Sequence, residues 1–142
     1  MHMCCRRILL FTLLTLLAGC SDVVTDSYPT LEDAREARLF ARGWLPDILP
    51  ASTERLKVSN NLDLSNSHGE FYFAPQDYEE FVSQLTLYAK TGNHESMFTA
   101  LASDAELSDY AAFTFSNNRC IWFFQCSQQE GHCLYNMRLE NP

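Results

Sequence analysis

Residues 111–139 read AAFTFSNNRCIWFFQCSQQEGHCLYNMRL, and this stretch decides the fold. Three apolar runs are separated by two polar breaks, Ser116 to Arg119 and Ser127 to His132. A four-residue first loop pairs Phe115 with Cys120, Phe113 with Trp122 and Ala111 with Phe124. A second turn, centred between Gln129 and Glu130, pairs Cys126 with Cys133, Phe124 with Tyr135 and Trp122 with Met137. Both registers put Cys120, Trp122, Phe124 and Cys126 on the same face of the central strand. Agreement between two separate turns points to a three-stranded antiparallel meander with an aromatic core face.

The cysteines follow from that register. Cys126 and Cys133 stand directly opposite, at the separation a disulfide requires. The closed loop has eight residues, worth roughly 2.5 kcal/mol by chain entropy. Cys120 is two pleats away and reads as a buried free thiol. A bridge from Cys120 to Cys126 is excluded, because an extended strand holds residues six apart far from one another. A metal site built from Cys120, Cys126, His132 and Cys133 also fails, since adjacent His132 and Cys133 point to opposite faces of a strand. No metal and no cofactor is expected.

Upstream, Leu56, Val58, Leu62 and Leu64 share one strand parity. Ser65-Asn66-Ser67-His68-Gly69 is a turn cluster, and Phe71 and Phe73 continue the apolar face on the returning strand. Thr30, with Asp33 three residues on, predicts a capped helix start. Leu31, Ala34, Ala37, Arg38 and Ala41 carry the helix to a left-handed cap at Gly43. Trp44, Leu45, Ile48 and Leu49 lie among two prolines and read as a buried plug beneath the sheet. A second helix is expected from Pro75, with Tyr78, Phe81, Val82, Leu85 and Tyr88 as its apolar stripe. Met97, Phe98 and Leu101 suggest a third, shorter one. The expected fold is therefore α+β: about five antiparallel strands, a hairpin plus the meander, with two to three helices on one face.

The first twenty residues give an address. Arg6 and Arg7 precede an apolar run from Ile8 to Leu17, followed by Ala18, Gly19 and Cys20. That is a secretory leader, and ten residues of helix span only about 15 Å, half a bilayer's hydrocarbon. Leu17-Ala18-Gly19-Cys20 resembles a bacterial lipobox, which implies removal of residues 1–19 and lipidation of Cys20. Ser21 after the cysteine resembles the sorting pattern of outer-membrane lipoproteins facing the periplasm. Residues 20–28 read as a lipidated tether, reaching at most about 28 Å, and 29–142 as one domain.

The 142-residue chain carries a formal net charge of −8, and loss of Arg6 and Arg7 with the leader lowers it by two to −10. Such a surface repels phosphate backbones, so nucleic acid is excluded as a partner. No nucleophile elbow, zinc-protease helix, P-loop or dinucleotide glycine pattern occurs. His68 beside Asp63 or Glu70 is the one acid–base grouping that can be drawn, and a solvated turn histidine accounts for it as well. No catalytic residue is assigned.

Gly43-Trp44-Leu45-Pro46, Leu49-Pro50 and Ser52, followed by Asn61-Leu62-Asp63-Leu64, resemble a motif of small uncharacterised bacterial lipoproteins, G-W-L-P-x-x-L-P-x-S. The resemblance covers about Arg38 to Phe73. It implies a membrane lipoprotein and brings no catalytic residue with it. The expectation is a membrane-anchored, non-enzymatic binding or envelope-support domain. The alternative is an acidic inhibitor or immunity-type lipoprotein that neutralises a basic envelope enzyme, since opposite charge speeds encounter.

Overall fold

In the computed structural model, which describes residues 22–88 and 109–140, the C-terminal meander forms one half of a single seven-stranded antiparallel sheet. The strands are β1 (Val23–Thr30), β2 (Glu54–Asn61), β3 (Asn66–Tyr72), β4 (Thr86–Leu87), β5 (Ala111–Ser116), β6 (Cys120–Ser127) and β7 (His132–Leu139). Their spatial order is β1-β2-β3-β7-β6-β5-β4. The hairpin and the meander join through β3 and β7, where Phe71 lies opposite Cys133 and Glu70 opposite Leu134.

The fold is mostly β, which corrects the α+β expectation. Two short helices are present among the described residues, α1 (Leu31–Glu36) and α2 (Tyr78–Val82), the latter entered through a 3-10 turn at Pro75–Asp77. Helix α1 starts as expected, with Thr30 and Asp33 forming a reciprocal capping box. It stops at Glu36 because Arg38 adopts φ 59°. The Arg38 N–H then donates to Arg35 O and the Leu39 N–H to Ala34 O, a left-handed cap five residues before Gly43. Helix α2 ends at Val82, and the chain turns into the two-residue edge strand β4. Tyr88, expected on the helix stripe, instead packs with Ile121 and Phe123 on the opposite face of the sheet. The expected helix around Met97, Phe98 and Leu101 lies outside the described residues.

Three further expectations shift. Residues 23–28, read as tether, belong to edge strand β1, paired along β2 from Val23–Asn61 to Thr30–Glu54. The first hairpin turns at 62–65, not 65–69, because the Asn61 side-chain oxygen accepts the Leu64 N–H at 2.9 Å. Leu62 and Leu64 thus leave the ladder and are exposed. In the meander, Asn117 N donates to Cys120 O, and the Asn117 side chain accepts the N–H groups of Arg119 and Cys120. This tight turn pairs Phe115 with Trp122 and Phe113 with Phe124, two residues from the expected register. A shift of two leaves every side chain on its expected face. The β6–β7 register is as expected, including Cys126 opposite Cys133.

One sheet face carries the main core. Phe71, Phe73, Phe81, Trp122, Phe124 and Tyr135 are buried there, with Phe71, Phe81 and Phe124 in edge-to-face contact. The Trp-Leu-Pro plug closes this face: Leu45 and Leu49 are buried, and Trp44 and Ile48 pack against them. Trp122 Nε1–H donates to Trp44 O at 3.0 Å, tying plug to sheet.

Candidate functional site

The outer sheet face carries a connected group of polar side chains. Tyr72 on β3 faces His132, the first residue of β7, and their rings stack with centroids 4.4 Å apart. Glu70, two residues before Tyr72, points the same way, and its Oε2 lies 3.1 Å from His132 Nε2. A carboxylate only accepts, so Nε2 carries the proton. In the neutral ring Nδ1 then accepts from the Tyr110 hydroxyl, 2.8 Å away. Lys57 Nζ reaches the other Glu70 oxygen at 3.1 Å, and the Arg55 guanidinium lies 3.7 Å above the Tyr72 ring.

Burial alone raises the Glu70 carboxyl pKa, but hydrogen bonds from Lys57 and His132 outweigh it and hold the group below its ordinary value. Burial, helped by Glu130, raises the Tyr110 hydroxyl. Tyr110 therefore stays protonated and serves as a donor. The His132 side chain is only 10% exposed. With both ring nitrogens engaged and a tyrosine on its face, it is held in place, with little room for a substrate. A groove of about 270 Å³ runs beside this network over Gly69, bordered by Thr25, Lys57, Ser59, His68 and Glu70.

The sequence-derived positions separate cleanly. Cys126 and Cys133 form a disulfide across β6 and β7. Cys120 is a free, buried thiol whose pKa is raised by that burial. Cys20 lies outside the described residues. His68 is exposed on β3, on the same outer face as Glu70, while Asp63 is in the hairpin turn. His132 is the histidine that Glu70 binds, which local reading of the sequence missed. Its signal was the β3–β7 pairing, invisible to any argument built on adjacent strands. Among the described residues no cluster of three or more histidine, cysteine or acidic side chains is arranged to hold a metal.

Fold and network together define a one-sheet, mostly-β domain with an aromatic core on one face; the other face carries the Glu70–His132 network and, over β6, a smaller apolar cluster of Ile121 and Phe123. Comparison with protein families matches residues 22–72, β1 through β3, to the YbbD head domain. This similarity supports a relation to a small bacterial family of uncharacterised function. It includes α1 and ends at Tyr72, before α2, the meander and the disulfide. No curated protein and no solved structure matches the chain.

Proposed function

We propose that this protein is a lipid-anchored domain of the bacterial envelope, on the outer membrane facing the periplasm, that binds a protein partner and performs no reaction of its own. The observation that carries the reading is the placement of charge along the strands. The chain enters the sheet at Asp22 and Val23, two to three residues after Cys20. At the opposite end of the strands stand Glu32 and Asp33 on α1, Asp77, Glu79 and Glu80 around α2, and Glu130 in the β6–β7 turn. Among the described residues no ion pair engages Glu32, Glu79, Glu80 or Glu130. Lipidation at Cys20 would hold the acidic end about 25 Å from the membrane, the length of an eight-residue strand.

That placement favours a cationic partner, and with it the inhibitor or immunity-type version of the reading. An acidic end with four carboxylates outside any ion pair among the described residues accelerates encounter with a basic protein and leaves the address to the lipid. The lipobox, the G-W-L-P motif and the clasped His132 support the same reading. Among the described residues no helix is long and apolar enough to cross a membrane, so a lipid at Cys20 would supply the attachment.

The test uses detergent-solubilised full-length protein and its variant Glu79→Lys/Glu80→Lys/Glu130→Lys. A partner captured from envelope extract is expected to be basic and to be lost on charge reversal. Its affinity should fall steeply between low salt and 0.15 M, where exposed charges are screened beyond about 8 Å. Binding indifferent to salt and to charge reversal removes the electrostatic partner from the proposal.

A further inference from the structure

The anchored end of the sheet has a composition unlike the rest of the surface. Val23 begins β1, and the Leu62 N–H donates to Asp22 O at 3.1 Å, so the β2–β3 turn sits beside the first described residue. Leu62 and Leu64 in that turn are 54% and 69% exposed. Leu139 ends β7 at the same end of the sheet, and it is exposed too. Six large hydrophobic residues are exposed in the described structure, and four of them, Val23, Leu62, Leu64 and Leu139, lie here, with Val24 next to Val23. Arg42 and Arg119 flank a cavity of about 330 Å³ that also touches Ser65 and Leu139.

The chain length between this end and Cys20 determines what lies against it. With β1 starting at Val23, only Ser21 and Asp22 separate the cysteine from the sheet. The three peptide steps from Cys20 to Val23 reach at most about 11 Å. The headgroup layer of one leaflet takes up roughly 5–8 Å of that. A lipidated Cys20 therefore holds the sheet end within a few ångströms of the bilayer surface.

We infer that the sheet stands end-on upon the membrane, with the β2–β3 turn inserted among phospholipid headgroups and Arg119, in the β5–β6 turn at the same end, meeting their phosphates. Leucines at the tip of a turn reach the acyl boundary, while arginine stems lie along it with their charges at headgroup level. Asp22, Asp63 and Glu140 share this end, so zwitterionic phosphatidylethanolamine suits it better than an anionic surface. The inference rests on the lipid-anchor reading above, and it adds the orientation and the surface that touches the membrane.

The experiment places mature lipidated protein in phosphatidylethanolamine vesicles containing brominated acyl chains. A tryptophan is introduced at the turn (Leu64→Trp, and separately Leu62→Trp) or at the far end (Gln129→Trp). Flotation reports anchoring, and bromine quenching reports depth. Expected is quenching of added fluorescence at 62 or 64 by at least twofold and none at 129, with the turn fluorophores shielded from aqueous acrylamide. If the wild type floats, Cys20→Ser does not, and positions 62, 64 and 129 are equally unquenched, the orientation is wrong and the anchor reading stands. If Cys20→Ser fractionates as the wild type does, the anchor reading fails and the orientation falls with it.

Discussion

His132 Nε2 and Glu70 Oε2 lie 3.1 Å apart across β3 and β7, although 62 positions of chain separate them. This contact ties the N-terminal hairpin to the C-terminal meander on the outer face, as Phe71 against Phe124 does within the core. Lys57 adds a second hydrogen bond to the same carboxylate, so its charged form is favoured by folding.

A group whose folded pKa is depressed adds stability above its unfolded pKa and loses it as pH falls through the folded value. Glu70→Gln should therefore cost about 1 kcal/mol at neutral pH, where a charge-assisted bond is replaced by a neutral one. The difference from wild type should shrink as pH falls through the carboxyl range. Urea unfolding of both proteins across that range measures it. A gap that is constant with pH would show that the contact contributes shape and not charge.

The disulfide gives the second prediction. Cys126 and Cys133 hold neighbouring strands at a point where Phe124 and Tyr135 also pair. Cys133→Ala should cost about 2 kcal/mol without abolishing the fold, because the loop removed from the unfolded chain is short. Non-reducing peptide mapping should find the 126–133 link. Cys120 should alkylate slowly in the native protein, where burial disfavours its thiolate, and rapidly in urea.

Some local signals are legible in the sequence, but two of the turns, the helix lengths and the long-range pairings are not. The capping box at Thr30, the plug of Leu45 and Leu49 and the β6–β7 register each depend on residues close in sequence or on one apolar face. The apolar spacing from Leu31 to Ala41 continues past the point where Arg38 turns left-handed, so periodicity alone makes the helix too long. Strand β1, an edge strand whose residues are mostly exposed, resembles a tether in composition. The Glu70–His132–Tyr110 network needed the β3–β7 pairing, which no turn announces. Parity arguments place side chains on faces, and tertiary pairing decides which faces meet.

Leu56 and Leu64 have the same parity in sequence and opposite fates in the fold. Leu56 is fully buried opposite Tyr28, whereas Leu64 is 69% exposed in the turn that Asn61 closes. Leu56→Ala should cost about 2–5 kcal/mol, the range for a large aliphatic residue removed from a core. Leu64→Ser should stay within about 0.5 kcal/mol of wild type in solution. Equal losses at the two positions in chemical denaturation would mean that the hairpin turns later, around Gly69, and carries Leu64 into the core.

Gly69 provides the last test, because its need for glycine is steric. It lies in β3 opposite Val58, and a Cβ added there would stand 2.0 Å from Lys57 O and 2.9 Å from Tyr135 Cε1. The first of these is backbone of an inner strand, so relief requires β2 to shift, and the second requires the Tyr135 ring, hydrogen-bonded to Ser67, to move as well. Over-packing of this kind costs typically about 1–3 kcal/mol, and a backbone obstacle places Gly69→Ala at the upper end. Gly43→Ala is the control. Gly43 has φ 81° with nothing within 4 Å of an added Cβ, so only left-handed backbone strain of about 1 kcal/mol opposes it. Denaturant midpoints should rank wild type above Gly43→Ala and Gly43→Ala above Gly69→Ala. The reverse order would mean that β2, β3 and β7 do not approach at Gly69. The groove beside Glu70 would then have a different floor.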